Sequence, residues 1–394
     1  MSLKLHWFLP TSGDGRTIVE RFHANKSLGR AAQRPADVDY LAQIARAAEQ
    51  LGFEGVLTPT GTWCEDAWLT TAALIRETRR LKFLVAFRPG VISPTLAAQM
   101  AGTFQRLSSG RVLLNIVTGG DAVEQRRFGD WHDHDARYAR TDEFLTIVRG
   151  VWSGRPFDFS GEHLEVAGAT TLAAPDPVPP LYFGGSSPAA LPVAARHADV
   201  YLTWGEPPAQ VAEKIGKVRA LAAAEGRTVR FGVRLHTIAR DTSAEAWAEA
   251  QRLLDALDPA QVAQAQAQLA ASESEGQRRM VALHGGRLDA GARGLEIHPH
   301  LWAGIGLVRG GAGTALVGSH EEIADLIEEY HAVGVSEFVL SGYPHLEEAY
   351  WFGEGVRPAL ARRGLLADEP VLRFEEELAQ RSGGPVGHVQ RVEA

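Results

Sequence analysis

Short apolar stretches alternate with helical ones along the whole chain, eight times over, and this alternation limits the fold more than any other feature. Residues 3–10, 55–60, 81–88, 112–118, 180–184, 200–204, 229–238 and 337–340 read as strands, being short, apolar and bounded by Gly, Pro or polar turn residues. Helical patterns at 35–51, 65–78 and 94–107, then further Ala- and Leu-rich stretches, separate them. In the first, Val38, Leu41, Ile44, Ala45, Ala48 and Leu51 recur at spacings of three and four, and Gly52 supplies the stop. Pro94 stands where a helix tolerates it, in the first turn. Strands joined through helices are parallel neighbours, because a parallel crossover takes about a dozen residues or more. Eight such units predict an α/β chain closed into a (β/α)8 TIM barrel with insertions. An open doubly wound sheet that binds a dinucleotide carries G-x-G-x-x-G after its first strand, and that turn is missing.

The chain has 394 residues, where a minimal barrel needs roughly 250. The surplus is assigned to insertions at 15–34, 153–178 and 257–319, so that 1–363 forms one domain and 364–394, charged and then Gly- and Ser-rich, a tail. The longest insertion ends in LVRGGAGTALVG (307–318), where Gly310, Gly311 and Gly313 permit large backbone excursions, and this stretch is expected to be a mobile active-site lid. A formal net charge of -8 gives no field that gathers polyanions, so nucleic acid is not an expected partner and any bound anion must meet local arginines. One cysteine, no basic and apolar leader in the first ten residues, and no apolar run of membrane-crossing length point to a cytoplasmic protein.

A barrel places reactive side chains where its strands end. Strand two leads to Cys64, strand four to Thr118, strand five to Gly184, Gly185, Ser186 and Ser187, and strand six to Trp204. Strand seven carries Arg234 and His236, and strand eight leads to Ser341, Gly342, Tyr343 and His345. FGGSSPAA (183–190) sets two glycines and two hydroxyls before a helix opened by Pro188, either a phosphate cradle at a helix N-terminus or a tight turn with a Ser cap. His134 and Tyr138, four apart on a helix, could grip the same phosphate or lie on the surface. Arg234 and His236 are two apart and share one strand face, as an oxyanion grip or as part of a structural salt bridge. Arg309, beside the lid glycines, could close on an anion with bidentate geometry or remain a solvated loop residue. Tyr343 is a candidate donor, and Cys64, followed by Glu65 and Asp66, reads as a polar lining residue rather than a thiolate. Fourteen histidines occur without zinc spacing, and no G-x-S-x-G elbow or Walker loop is present, so no metal is expected.

The motifs PTGTWCEDAW (59–68), PLYFGGSS (180–187), YLTWGEPP (201–208), FGVRLHTI (231–238), LWAGIGLVRGGAGTALVG (301–318) and FVLSGYPHLEEAY (338–350) closely resemble the two-component alkanesulfonate monooxygenases of the bacterial-luciferase-like family, over residues 3–360. The resemblance implies that FMNH2, delivered by a separate NAD(P)H-dependent reductase, reacts with O2 to oxidise an alkanesulfonate to an aldehyde and sulfite for sulfur acquisition. It implies active-site roles for Cys64, Trp204, Arg234, His236, Arg309 and Tyr343, and contacts of His134, Tyr138 and Ser187 with the FMN phosphate. It also implies a homo-oligomer, dimer or tetramer. Ser12 stands where members commonly have His, and 16–34 is longer than usual, so methanesulfonate or another short organosulfur compound is an alternative substrate. A deazaflavin-dependent oxidoreductase is the other alternative.

Overall fold

The eight apolar segments become β1 (Lys4–Phe8), β2 (Gly55–Thr58), β3 (Lys82–Phe87), β4 (Val112–Ile116), β5 (Leu181–Phe183), β6 (Val200–Trp204), β7 (Arg230–Arg240) and β8 (Glu337–Ser341) in the computed structural model, which describes residues 2–18 and 33–367. Each strand pairs in parallel with the next. β8 returns to β1 in the register Lys4↔Glu337 to His6↔Val339, which closes the barrel. Side chains alternate across each strand. Phe8, Leu57, Leu84, Leu113, Tyr182, Leu202 and Val339 fill the interior, while Trp7, Val56, Phe83 and Val85 pack outward under the helices.

The helices follow their local signals. Asp37 accepts from the Tyr40 N–H to start Val38–Gln50, and Gly52, at φ +77°, turns the chain out of it. Ser93 caps Pro94–Ser108. The second helix is shorter than its pattern: Asp66 caps Ala67–Leu74, and the span then tightens into a single 3-10 turn, Ile75–Glu77.

Three segments depart from the expected minimal repeat. Within 153–178, Phe157–Ser160 and Glu165–Ala169 form an antiparallel hairpin. Within 257–319 lie the helices Pro259–Ala270 and Glu275–His284 and the strand Ala315–Ser319. β7 is longer than its predicted 229–238 span: it runs on to Arg240, and its last five residues leave the barrel to pair in parallel with Ala315–Ser319. The expected lid at 307–318 therefore divides. The apolar run Ala315, Leu316 and Val317 is buried strand, and only 308–314 is free of helix and strand. The expected tail also begins later, because the Leu3 N–H donates to the Leu365 carbonyl (2.7 Å) and Leu3 bridges Leu366. Most of the first insertion (19–32) and of the tail (368–394) lies outside the described residues. Among the described residues, no helix is long and apolar enough to cross a membrane, and no group of three or more His, Cys, Asp or Glu is placed to hold a metal ion.

The N-terminal end of the barrel is sealed by a polar cluster. Glu337, fully buried, accepts from the Tyr182 hydroxyl (2.5 Å) and from His6 Nε2 (3.2 Å), and is ion-paired with Arg230. Burial pushes His6 down to about 3, so its imidazole is neutral and its Nε2–H is the donor. Removing one partner strands the others away from water. Glu337→Ala is expected to cost about 3 kcal/mol in urea unfolding; a loss under about 1 kcal/mol would mean that the cluster adds no net stability.

Candidate active site

At the opposite end, strand register brings four of the expected residues together. Arg234 and His236 point into the barrel while Val233 and Leu235 pack outward, and β7 pairs with β8 so that Arg234 lies beside Val339 and His236 beside Ser341. The Arg234 guanidinium is 6% exposed and stacks over the Phe8 ring at 4.8 Å. Its hydrogen bonds go to neutral oxygens: Leu235 O (2.5 Å), Val339 O (3.4 Å) and Ser341 Oγ (2.8 Å). Among the described residues no carboxylate pairs with it. Burial, and then the charge of Arg309, bring Arg234 down to about 9. Burial also holds His236 well below its usual range, helped by Arg234, Arg309 and His345, so the imidazole is neutral.

The second guanidinium comes from the 308–314 segment. Arg309 donates to the Tyr343 hydroxyl, lies 5.6 Å from the Phe8 ring centre, and so reaches the aromatic that Arg234 covers. The Tyr343 ring stacks on His236 (5.5 Å, 20°) and meets His345 edge-on (5.3 Å). Several contacts hold the segment, among them the His236 backbone N–H donating to Thr314 O (2.9 Å) and the Gly306 N–H donating to Gly313 O (2.9 Å). Gln277 accepts from the Gly311 N–H (2.9 Å), Ala312 O lies 3.1 Å from His236 Nε2, and Thr314 donates to Gly205 O (2.5 Å). Gln277 belongs to Glu275–His284, which is pinned in turn. Arg279 of that helix forms a bidentate pair with buried Glu206 (2.6 and 2.9 Å), and Lys214 joins at 2.8 Å. Trp204, at the end of β6, packs under the same helix, where a Cβ on Gly276 would lie 3.0 Å from its ring.

Cys64 belongs to another part of the mouth. Its thiol faces Pro59 O (3.8 Å) and Gly61 O (3.6 Å), and burial pushes it up to about 11, against a hydrogen bond with Thr11. Its thiol is therefore protonated, chiefly through burial, and its hydrogen bonds stay within its own loop and Thr11.

The β5 turn carries the remaining residues. Gly185 has φ +151°, and a Cβ there would meet the Ala190 Cβ at 2.7 Å and the Tyr138 hydroxyl at 3.1 Å, so the cradle admits no side chain. Ser187 Oγ accepts from the Ala190 N–H (3.3 Å), and the helix begins at Ala190, two residues after the expected Pro188. The Tyr201 hydroxyl donates to Gly185 O (2.7 Å), and the Tyr138 hydroxyl lies against the same glycine. The His134 ring lies 4.9 Å from Tyr138. A helix N-terminus, two serines, a tyrosine and a histidine around a glycine hollow fit a phosphate monoester. Thr118 fits less well: its hydroxyl is turned to Thr141 Oγ1 (3.3 Å), whose own proton goes to Arg137 O, so it braces the helix His134–Val151.

Sequence reasoning assigned no role to Ser341, Phe8 or the Asp14 carboxylate. Asp14 accepts from Tyr40 (2.5 Å) and from the His345 backbone N–H (2.8 Å), and meets His345 Nδ1 at 2.8 Å. Burial pushes Asp14 upward, but His345, Tyr40 and Gly15 outweigh it and hold the carboxylate below its usual range. The signal for Ser341 was available, since it sits opposite His236 once the β7–β8 register is fixed.

Two guanidiniums and a phenol beside one aromatic ring can hold a tetrahedral oxyanion, with the neutral imidazole stacked on the phenol. The charged form of Arg234 makes that grip and exists below its lowered value. Anion affinity is therefore predicted to hold at neutral pH and to fall as pH rises through about 9. Sulfate titration by tryptophan fluorescence checks this, and an affinity still constant well above that pH would contradict it.

The family model for luciferase-like monooxygenases matches residues 3–337. Among solved structures, the chain resembles a riboflavin lyase with modified FMN and its substrate riboflavin (22% identity, TM-score 0.77, 98% of this chain and 97% of that one). It also resembles the EDTA monooxygenase of Chelativorans sp. BNC1 (20% identity, TM-score 0.72, 98% and 99% covered). An F420-dependent secondary alcohol dehydrogenase with an F420-acetone adduct matches at 18% identity and TM-score 0.64, covering 91% of this chain and 99% of the other.

Proposed function

The chain belongs to the luciferase-like monooxygenase family, and within it we propose an FMNH2- and O2-dependent alkanesulfonate monooxygenase that releases an aldehyde and sulfite. The observation that carries this reading is the buried Arg234 cation without a carboxylate partner, facing Arg309 across Phe8. A neutral alkane or alcohol would leave the buried Arg234 charge without an anionic partner among the described residues, whereas a sulfonate neutralises it and offers three oxygens to the N–H groups of Arg234 and Arg309.

Bound FMNH2 would supply two electrons to O2, placing one oxygen atom in the aldehyde and the other in water. Ser186, Ser187, Tyr138 and His134 would hold its phosphate. The protein's own part is to bind the sulfonate through Arg234 and Arg309, to let Tyr343 donate to the reacting oxygens, and to exclude water with residues 308–314. The carbon–sulfur bond breaks, sulfite departs, and the carbon that carried sulfur loses a proton. FMNH2 would come from a separate NAD(P)H-dependent reductase, and the protein is assigned to the cytoplasm as a dimer or tetramer. Ser12, half-buried, stands where members of the family commonly have His, which favours testing short and long chains alike.

The test is anaerobic loading with FMNH2, then O2 with alkanesulfonates from methane- to decanesulfonate, scoring sulfite. Release from some chain lengths is expected, and Arg309→Ala should lower kcat/KM at least about a hundredfold. No sulfite from any chain would overturn the reading. Likeness to the F420-dependent dehydrogenase gives a second one, a deazaflavin-dependent oxidoreductase, which retention of F420 in place of FMN would identify. Separately, Gly185→Val should abolish flavin retention while leaving the fold intact by circular dichroism, and unchanged FMN affinity would remove the cradle from the account.

A further inference from the structure

Ser341 is fully buried at the end of β8, and the hydrogen-bond directions around it are forced. His236 is neutral and carries a single N–H. Its Nε2 lies 3.1 Å from the Ala312 carbonyl, which can only accept, so the proton is on Nε2 and Nδ1 presents a lone pair. Nδ1 is 2.7 Å from Ser341 Oγ, so the hydroxyl donates to it. The Ser341 oxygen in turn accepts from the Arg234 guanidinium at 2.8 Å. A single chain with one direction thus runs Arg234, Ser341, His236, Ala312, from the cation in the barrel to the backbone of the 308–314 segment.

We propose that Ser341 is a positioning residue that ties closure of the 308–314 segment to the seating of Arg234 on a bound oxyanion. This rests on the reading of the mouth as a sulfonate site. With the segment seated, Ala312 O selects the Nε2–H form of His236. That turns the Ser341 proton toward Nδ1 and leaves the oxygen lone pair for Arg234. When the segment lifts, the acceptor that fixes the imidazole is gone, the hydroxyl can rotate, and Arg234 loses a defined partner. Among the described residues, the charged and titratable groups facing His236 are Arg234 on its own strand, Arg309 on the segment, and Tyr343 and His345 beyond β8. None of them is an anionic acceptor that could stand in for Ala312 O. A plain buried-filler role for Ser341 would need only that its hydroxyl be satisfied and would leave His236 indifferent to it.

The experiment compares the full-length protein with Ser341→Ala and Ser341→Thr. The first readout uses neither flavin nor substrate: the pH dependence of hydrogen exchange at C2 of His236, followed by mass spectrometry of its peptide. With its oxygen engaged by Arg234, the serine hydroxyl donates to Nδ1 and so favours the neutral imidazole; its loss should move the His236 midpoint upward in S341A, and S341T should return it toward wild type. The second readout is sulfonate binding to FMNH2-loaded protein without O2. The dissociation constant should rise on the order of tenfold in S341A with FMNH2 affinity unchanged. Should S341A fail to fold, 15N NMR of histidine-labelled wild type, with His236→Asn for assignment, decides the matter by showing the proton on Nε2 or on Nδ1. A His236 midpoint unmoved in S341A, or a proton on Nδ1 in wild type, overturns the role of Ser341. Absence of sulfonate binding in wild type overturns the desulfonation reading and leaves the His236 result to stand on its own.

Discussion

A guanidinium held out of water among neutral oxygens is costly, and the upper half of this molecule is arranged around one. Arg234 is buried at the barrel mouth with three oxygen acceptors and an aromatic face, and with a second arginine as its nearest charge. Burial, with this cation beside it, keeps the His236 imidazole neutral. The cation also makes the mouth a place where an anion relieves a penalty already present in the fold. The turn after β5 rests on different physics, a helix start and a hollow that only glycine leaves open, and it is separate from the arginine pair.

The second guanidinium is brought in by a long insertion with its own anchors. β7 outgrows the barrel so that its last residues template Ala315–Ser319, and the preceding segment folds back over the mouth. Buried Glu206, bound to Arg279 and Lys214, fixes the helix whose Gln277 holds Gly311. Placement of Arg309 thus depends on ionic and backbone contacts well outside the mouth. Opening the segment breaks the bonds at Gly311, Ala312, Gly313 and Thr314 together with the Arg309–Tyr343 contact.

The sequence was most legible where a local signal decides the outcome. Alternation of strands and helices predicted the barrel, the i, i+2 spacing put Arg234 and His236 on one face, and the Gly-Gly-Ser-Ser run marked a tight turn ahead of a helix. Signals failed where the deciding partner is distant in the chain. Residues 315–318 looked like glycine-rich lid because their strand partner is the overhang of β7, which no local pattern announces. Residues 364–367 looked like tail because their partner is Leu3. Thr118 looked like lining because Thr141, which takes its hydroxyl, is on a helix 23 residues away. Asp14 passed unnoticed because its significance comes from His345, 331 residues downstream.

The central claim is that Arg234 is a buried cation kept for an anion rather than for the fold, and Arg234→Met tests it most directly through thermal unfolding with and without sulfate. The account predicts that wild type is stabilised by sulfate, by mass action on a native-state site, while the variant is at least as stable as wild type without the anion and no longer responds to it. A variant that melts several degrees lower, yet still gains stability from sulfate, would show that Arg234 serves the fold and that the anion site lies elsewhere.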